Sequence, residues 1–214
     1  MAFTDEVWAE IQPILQKIYE HPFVKGLGDG TLDRDVFTYY MAQDALYLTD
    51  YGRSMGFLAA KAERSEEVVF WGLSVQGAIV AERELHQTHV ELDTGEMSAT
   101  CRAYTSFLLA RAAAAPYEVG CATLLPCFWI YQDVGEKLLE AAGDLSNHAY
   151  GDWIGMYADE AFATATTEAK AITDRLAEQA RPEVREQMRE AFVTAARYEW
   201  MFWDAAWRRE GWPV

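Results

Sequence analysis

The sequence contains few basic residues and no long apolar run. Its 214 residues include 18 Lys and Arg against 34 Asp and Glu, which gives a formal net charge of −16. Such a charge repels phosphate backbones and argues against nucleic-acid binding. No stretch approaches the roughly 18 apolar residues of a membrane-spanning helix. The first residues, MAFTDEVWAEIQ, have neither the basic nor the apolar region of a signal peptide, so we expect a cytoplasmic protein that does not bind membranes.

Cysteine is scarce, and its spacing excludes the common structural uses. Only Cys101, Cys121 and Cys127 are present, and no CxxC pair occurs. An odd count in a chain of this length does not indicate a disulfide framework. The gap between Cys121 and Cys127 matches no common zinc motif. One of the thiols could instead be a nucleophile.

The sequence also lacks the alternating patterns and Asn-Gly or Asp-Gly turns that are typical of strands. Apolar residues recur at helical spacing, and good helix formers are plentiful. We predict an all-α, single-domain bundle spanning residues 1–214, with a loop at His21–Gly30 that contains one proline and three glycines. The pattern predicts about seven helices, over residues 4–20, 33–62, 65–92, 99–114, 116–142, 150–179 and 182–210.

Three of these predicted helices carry residues suited to chemistry. Asp44, Tyr47 and Tyr51 lie at i, i+3 and i+7 and therefore share a face. The simplest alternative is an acid on the bundle surface beside aromatic core residues, because charged side chains are mostly exposed. Cys127 and Tyr131, at i and i+4, also share a face. A helical cysteine is often only a small buried hydrophobe.

Glu199 is surrounded in sequence by large aromatic residues, in the segment ARYEWMFWDAAW. A carboxyl among these rings would lose hydration, and its pKa would rise toward the range useful for proton transfer. Alternatively, Glu199 points outward from an aromatic core stripe. Aromatic residues form 14% of the chain, which suits a stacked planar heterocycle as well as a packed core.

A metal site is not expected. Glu82, His86 and His89 share a helix face, but no Glu-x-x-His motif occurs, whereas a di-iron bundle needs two. A single histidine could ligate haem, but no pattern selects one. The segment GLGDG lacks the strand and the Lys-Ser/Thr of a phosphate-binding loop.

Taken together, six ordered segments resemble the TenA family, whose members have a haem-oxygenase-like helical fold. The resemblance extends over nearly the whole chain, and the six segments together are specific although none is so alone. They are HPFVKGLGDGTL (21–32), YYMAQDALYLTDYGR (39–53), AYTSFLL (103–109), LPCFWIYQDVGE (125–136), WIGMYADEAF (153–162) and YEWMFWDAAW (198–207).

The resemblance implies a role for each matching residue. Asp44 would bind a pyrimidine, Cys127 would be the nucleophile and Glu199 its acid/base partner. Tyrosines would line the substrate pocket, at Tyr47, Tyr104, Tyr131 and Tyr157. Cys127 places the chain in the cysteine-containing branch of the family.

The resemblance also implies an activity and an assembly. We expect an aminopyrimidine aminohydrolase (thiaminase II) that converts 4-amino-5-aminomethyl-2-methylpyrimidine to its hydroxymethyl counterpart for thiamin salvage, and that also cleaves thiamin. A homotetramer is implied, and no cofactor. The alternatives are a non-catalytic pyrimidine-binding or regulatory protein on the same fold and a metal-dependent oxygenase.

Overall fold

The computed structural model describes residues 1–88 and 95–214, with side chains described for 1–80 and 95–214. This part of the chain forms ten helical segments and no strand, which confirms the all-α prediction and corrects the count of seven. The helices are α1 (Phe3–Glu10), α2 (Gln12–Tyr19), α3 (Pro22–Asp29), α4 (Arg34–Lys61), α5 (Ser65–Thr88), α6 (Ala99–Ala114), α7 (Tyr117–Ala142), α8 (Gly151–Tyr157), α9 (Glu160–Gln179) and α10 (Pro182–Trp207).

The first predicted helix is two helices, α1 and α2, which meet at Ile11. Pro13 explains the break: it has no backbone N–H to donate, and its ring would collide with the carbonyl of residue 9 in a continuous helix. The predicted helix over 150–179 is also divided, at Ala158 and Asp159. The Asp159 carboxylate accepts a hydrogen bond from the Ala161 N–H at 2.8 Å and so caps the new helix α9.

The segment predicted as a loop, His21–Gly30, is instead helix α3. Its proline and last glycine mark the ends of the helix. Pro22 occupies the first turn, where a missing N–H costs nothing, and the His21 side chain caps that end by accepting from the Phe23 N–H at 3.1 Å. Gly30, at φ +76°, ends the helix in the left-handed conformation that glycine adopts most readily.

Helices α4, α6, α7 and α10 pack around the centre of the molecule, with α9 and α8 against α7 and α5 against α4. Trp203, Tyr40 and Tyr104 are among the largest fully buried side chains there. No helix in the described ranges is long and apolar enough to cross a membrane. The proposed site residues come from α4, α6, α7, α8 and α10, so the helix packing decides whether they meet.

One contact fixes the end of α8 against α7. A Cβ at Gly135 would lie 2.8 Å from the Cβ of Tyr157, a separation that carbon atoms do not tolerate. Only glycine at position 135 therefore allows the backbone of Tyr157 to lie this close to α7. This contact places the Tyr157 side chain beside the face of α7 that carries Cys127 and Tyr131.

Candidate active site

The predicted face of α4 is buried. Asp44 is 2% exposed, and Tyr47 and Tyr51 are each 4% exposed. Their spacing directs all three toward the bundle centre, so the alternative of a surface carboxylate is wrong. The rings of Tyr47 and Tyr51 stack at 5.4 Å between centroids.

Glu199 also points inward, at 1% exposure, so the outward orientation considered from the sequence is wrong. The Tyr104 hydroxyl of α6 donates a hydrogen bond to its Oε1 at 2.5 Å. Tyr104 in turn lies against Tyr47, with ring centroids 5.2 Å apart. Glu199, Tyr104 and the α4 face thus form one continuous cluster.

Cys127 and Tyr131 enter this cluster from α7. The hydroxyls of Tyr47 and Tyr51 lie near the Cys127 sulfur. The Tyr131 ring contacts Tyr157 at 4.9 Å and Trp203 at 5.1 Å between centroids. All seven residues predicted for the site are therefore brought to one region of the bundle.

Burial controls the ionisation of the two carboxyls. It raises the pKa of Asp44 to about 7. It raises the pKa of Glu199 to about 8, with a smaller contribution from the Asp44 charge, while the hydrogen bond from Tyr104 opposes the shift. Both groups therefore take up protons far more readily than a solvated acid, and Glu199 is largely protonated at neutral pH.

Burial also raises the pKa of the Cys127 thiol well above its ordinary value, and the negative charge of Glu199 acts in the same direction. Reactive thiolates normally form beside a cation or a helix N-terminus. No Lys, Arg or His lies among the described residues around the cavity that Cys127 faces. These surroundings therefore favour the neutral thiol.

Two polar atoms at the centre of the site have no hydrogen-bond partner within the described part of the protein, Asp44 Oδ2 and the Tyr47 hydroxyl. Buried polar atoms in folded proteins are nearly always paired, so an unpaired carboxylate oxygen needs an explanation. A polar ligand that donates a hydrogen bond to Asp44 would satisfy it. The indole N–H groups of Trp153 and Trp203 are also buried and have no hydrogen-bond partner within the described part of the protein.

A cavity of about 590 Å³ extends from Cys127 to the surface. Its inner end is lined by Cys127, Tyr51 and Phe128 of α4 and α7, and by Tyr157. The outer walls come from α5 and α9, through residues such as Leu73, Gly77 and Ala165. Among the described lining residues, Glu168 is the single Asp, Glu, Lys or Arg.

Sequence reasoning missed several residues of the site. Tyr40 and Trp203 flank Tyr131, and the Tyr40 hydroxyl donates to that of Tyr131 at 3.4 Å. Both lie in segments that carry the family resemblance, so the resemblance could have identified them as site residues. The residues of α5 that line the cavity could not be identified in this way, because nothing in the sequence places α5 opposite α9. Glu82, His86 and His89, considered as a metal site, lie outside the described side chains.

The fold and the site define a class: an all-helical protein with a thiol and two buried carboxyls enclosed by aromatic rings. The chain belongs to the TENA/THI-4/PQQC family, whose profile matches residues 8–209. This match confirms the family predicted from the six segments.

Two relatives illustrate the range of proteins that contain a similar sequence. The aminopyrimidine aminohydrolase of Bacillus subtilis is 36% identical over 99% of this chain and 92% of its own length. The thiamine biosynthesis multifunctional protein ThiED of Corynebacterium efficiens is 35% identical over 98% of this chain, which spans only 29% of that protein. The prediction of a TenA-type hydrolase agrees with the name of the first relative.

Solved structures support the fold. The TenA homologue from P. horikoshii OT3 superposes with a TM-score of 0.87 at 28% identity, covering 97% of this chain and 99% of that protein. A domain with a heme oxygenase-like fold from Shewanella denitrificans OS217 superposes with a TM-score of 0.76 at 10% identity, covering 96% of this chain and 92% of that domain. The predicted haem-oxygenase-like fold is therefore confirmed.

Proposed function

We propose that the protein hydrolyses the C–N bond on the 5-methylene arm of 4-aminopyrimidines, converting 4-amino-5-aminomethyl-2-methylpyrimidine to its hydroxymethyl product and also cleaving thiamin. The observation that carries the proposal is the unpaired, buried Asp44 Oδ2 in an aromatic site that also holds Cys127 and Glu199. The name of the Bacillus relative supports the same substrate class.

Asp44 would fix the pyrimidine ring. The exocyclic amine of a 4-aminopyrimidine donates hydrogen bonds, and a carboxylate accepts them. Because the pKa of Asp44 is about 7, this group is close to half ionised at neutral pH, and a donating ligand would favour its ionised form. Tyr47, Tyr104, Tyr131 and Tyr157 would hold the plane of the ring by stacking and edge contacts.

Cys127 would act as a covalent catalyst. Glu199, protonated at neutral pH, donates its proton to a ring nitrogen and then accepts the proton of the Cys127 thiol. The thiolate and the protonated ring form together, so no isolated negative charge has to be created in a buried site. The sulfur then bonds to the unsubstituted ring carbon next to the one that carries the methylene arm, so the arm-bearing carbon can form the exocyclic alkene in the next step.

The later steps return the site to its starting state. The electron pair released into the ring expels the leaving group as the arm C–N bond breaks, and the departing amine takes up a proton. Water adds to the exocyclic alkene, giving the hydroxymethyl group, and the C–S bond breaks to release Cys127. The net reaction consumes one water and releases one amine.

A non-catalytic pyrimidine-binding protein on the same fold is the second candidate. The raised pKa of the Cys127 thiol favours it, because a neutral, half-buried thiol without a neighbouring cation is ordinarily unreactive. The two candidates differ in whether Cys127 forms a bond to the ligand.

The test is hydrolysis of 4-amino-5-aminomethyl-2-methylpyrimidine by the purified protein, with thiamin in parallel. We expect Cys127→Ala to lower kcat by at least about a thousandfold while Kd for the hydroxymethyl product changes by less than about threefold. Cys101→Ala, which removes another buried thiol, is the matched control and should keep kcat. Tight product binding without turnover by the wild-type protein would instead establish the binding protein.

Three further expectations belong to this proposal. We infer that the protein is a homotetramer located in the cytoplasm, and that residues 1–214 form one domain. Light scattering coupled to size-exclusion chromatography measures the assembly, and an elution mass of one chain would contradict it.

A further inference from the structure

The segment that follows α10 turns back onto the protein. Arg209, at φ +48°, is the single non-glycine residue with a positive φ within the described ranges. At this turn the N–H groups of Arg209 and Glu210 donate to the carbonyls of Ala206 and Ala205, at 3.0 and 2.9 Å, which ends α10 tightly. Residues with a side chain adopt this conformation rarely and keep it where the surrounding contacts determine it. The contacts of the segment after α10 therefore need an explanation.

Glu210 binds two groups at the start of α6. Its carboxylate accepts from the Thr100 N–H at 2.8 Å and from the Thr100 hydroxyl at 3.1 Å. Thr100 lies in the first turn of α6, where backbone N–H groups have no partner within the helix and a negative charge is stabilised. Nearby, the Trp212 indole N–H donates to the Met97 carbonyl at 2.9 Å, and the Tyr39 hydroxyl of α4 donates to the Glu210 carbonyl. These contacts fix the segment after α10 to the start of α6.

The same two helices carry the buried acid and the group that donates to it. Thr100 and Tyr104 are four residues apart on α6 and therefore share a face. Tyr104 donates to Glu199, which lies on α10, the helix that leads into Glu210. Among the described residues, α6 is thus hydrogen-bonded to the chain from α10 onward at two levels, by Thr100 to Glu210 and by Tyr104 to Glu199.

We propose that Glu210 is a positioning residue for the active site: its carboxylate ties the start of α6 to the end of α10 and so keeps the Tyr104 hydroxyl on Glu199. Glu210 acts through Tyr104 and does not line the cavity. Without this tie, the start of α6 is free to move away from α10, and the hydrogen bond between Tyr104 and Glu199 lengthens. The proposal rests on the proton transfer by Glu199 in the function proposed above.

The ionisation of Glu199 reports on this hydrogen bond. Among the described residues around Glu199, the Tyr104 hydroxyl is the one group that lowers its pKa. A longer contact therefore raises this pKa, and the alkaline limb of the kcat profile, where Glu199 loses its proton, moves to higher pH. The titratable groups that face Glu199 are Asp44, Tyr47 and Tyr51 of α4, Tyr104 of α6, Cys127 and Tyr131 of α7, and Tyr157 of α8.

The test is Glu210→Ala, with kcat and KM on 4-amino-5-aminomethyl-2-methylpyrimidine measured across the pH range. We expect kcat to fall by about tenfold while KM stays within about threefold, because the acid is less well held and the substrate contacts remain. The alkaline limb should move to higher pH, as in Tyr104→Phe. The double variant should have the limb of Tyr104→Phe alone, since Glu210 acts only through Tyr104. Glu210→Gln keeps an oxygen for the Thr100 N–H and should hold kcat within about threefold of wild type.

Asp174→Ala is the matched control. The Asp174 carboxylate of α9 accepts from the Thr4 N–H and from the Thr4 hydroxyl, both at 2.8 Å. Thr4 is the second residue of α1, as Thr100 is the second residue of α6, so the variant removes an equivalent cap from a helix that carries no site residue. It should lower stability about as much as Glu210→Ala does, with kcat within about twofold of wild type and the alkaline limb unchanged.

The outcomes separate positioning from capping and from the proposed function. Similar losses of stability in both alanine variants without movement of the limb in Glu210→Ala would make Glu210 only a helix cap and overturn the proposal. A limb that moved further in the double variant than in Tyr104→Phe would also overturn it.

If the wild-type protein hydrolysed no aminopyrimidine, the proposed function would have failed, and positioning would be decided by stability instead. The curve of unfolding free energy against pH is then read between about pH 6 and 9, above the range in which an ordinary carboxyl titrates. Its upper end follows the pKa of Glu199 and should move to higher pH in Glu210→Ala and stay in place in Asp174→Ala. An upper end that stayed in place in both variants would overturn the proposal.

Discussion

Two glutamates of the molecule are buried beside tyrosines, and their surroundings differ in whether a cation pairs with the carboxylate. Glu67 is 4% exposed, accepts a hydrogen bond from the Tyr117 hydroxyl at 2.9 Å and is paired with Arg175. Glu199 is 1% exposed and accepts from the Tyr104 hydroxyl at 2.5 Å, and no ion pair to it is found within the described residues.

The hydroxyl groups around the two glutamates differ in the same way. The Tyr117 oxygen also accepts from the Trp71 indole N–H at 2.8 Å, so the Glu67 group connects α5, α7 and α9 through paired contacts. Beside Glu199, the Tyr47 hydroxyl and Asp44 Oδ2 are unpaired. Glu67 pairs with a cation, and the polar groups beside it all have hydrogen-bond partners, so this acid stabilises the fold. Glu199 has no cation beside it and is available to exchange protons.

The largest expected effect comes from replacing each glutamate by its amide. Glu199→Gln cannot donate and accept protons in turn, so we expect kcat on the aminomethyl substrate to fall by about a thousandfold. The free energy of unfolding should rise at pH 7, because the amide is uncharged and does not have to take up a proton when the chain folds. Steady-state kinetics and urea denaturation on the same preparation measure both quantities.

Glu67→Gln is the matched variant, and we expect the reverse result. Arg175 would lose its charged partner, which should cost about 2–3 kcal/mol of stability, near the lower end for a buried pair because Arg175 is 23% exposed. The kcat of the folded fraction should stay within about threefold of wild type. If Glu67→Gln lost activity without losing stability, the distinction between the two glutamates would be wrong.

The next effect is on the pH dependence of stability. The pKa of Glu199 is raised from 4.5 to about 8, so between these values the folded protein holds a proton that the unfolded chain releases. The contribution of Glu199 to the free energy of unfolding is therefore largest below about pH 4.5. It decreases as the pH rises toward 8, by up to about 1.4 kcal/mol per pH unit. Glu199→Gln should flatten the curve of unfolding free energy against pH by about that slope.

Cys101→Ala serves as the control here and should leave the slope of wild type between pH 4.5 and 8, because burial raises the pKa of this thiol to about 12 and it exchanges no proton in that range. Asp44, whose pKa is also raised, contributes a slope of the same sign in all three proteins, so the difference between curves isolates Glu199. Parallel curves for wild type and Glu199→Gln would show that Glu199 is ionised at neutral pH, and the proton transfer proposed for it would fail.

The smallest effects concern the two tyrosines. Tyr104→Phe removes the hydrogen bond that opposes the rise of the Glu199 pKa, so this pKa should rise further and the alkaline limb of the kcat profile should move to higher pH. Tyr117→Phe leaves the Trp71 N–H and a Glu67 oxygen without their partner, and should cost about 1–2 kcal/mol of stability with no shift of the profile.

Local patterns predicted the parts of the structure that depend on neighbouring residues. The spacing of Asp44, Tyr47 and Tyr51 placed them on one face, and the rings around Glu199 indicated an acid with a raised pKa. The breaks at Ile11 and Asp159 were missed, although Pro13 and an aspartate cap were visible, because helical periodicity continues across both. At His21–Gly30, a proline and glycines that predict a loop instead include the residues that mark the two ends of helix α3.

Contacts between distant segments could not be predicted in this way. Glu67 and Arg175 are 108 residues apart, and nothing near either residue indicates that they pair. The open cavity between α5 and α9 depends on how two helices are spaced across the bundle, which periodicity does not determine. The family resemblance supplied the grouping of the seven site residues, which the isolated segments did not.

The contact between Gly135 and Tyr157 has a mechanical consequence. Cys127 and Gly135 belong to the same helix, eight residues or about 12 Å apart. Because only a hydrogen atom separates α7 from the backbone of Tyr157, α7 cannot shift toward α8 at this point without displacing this tyrosine. The contact therefore couples the position of the helix that carries the Cys127 sulfur to that of a ring lining the same cavity.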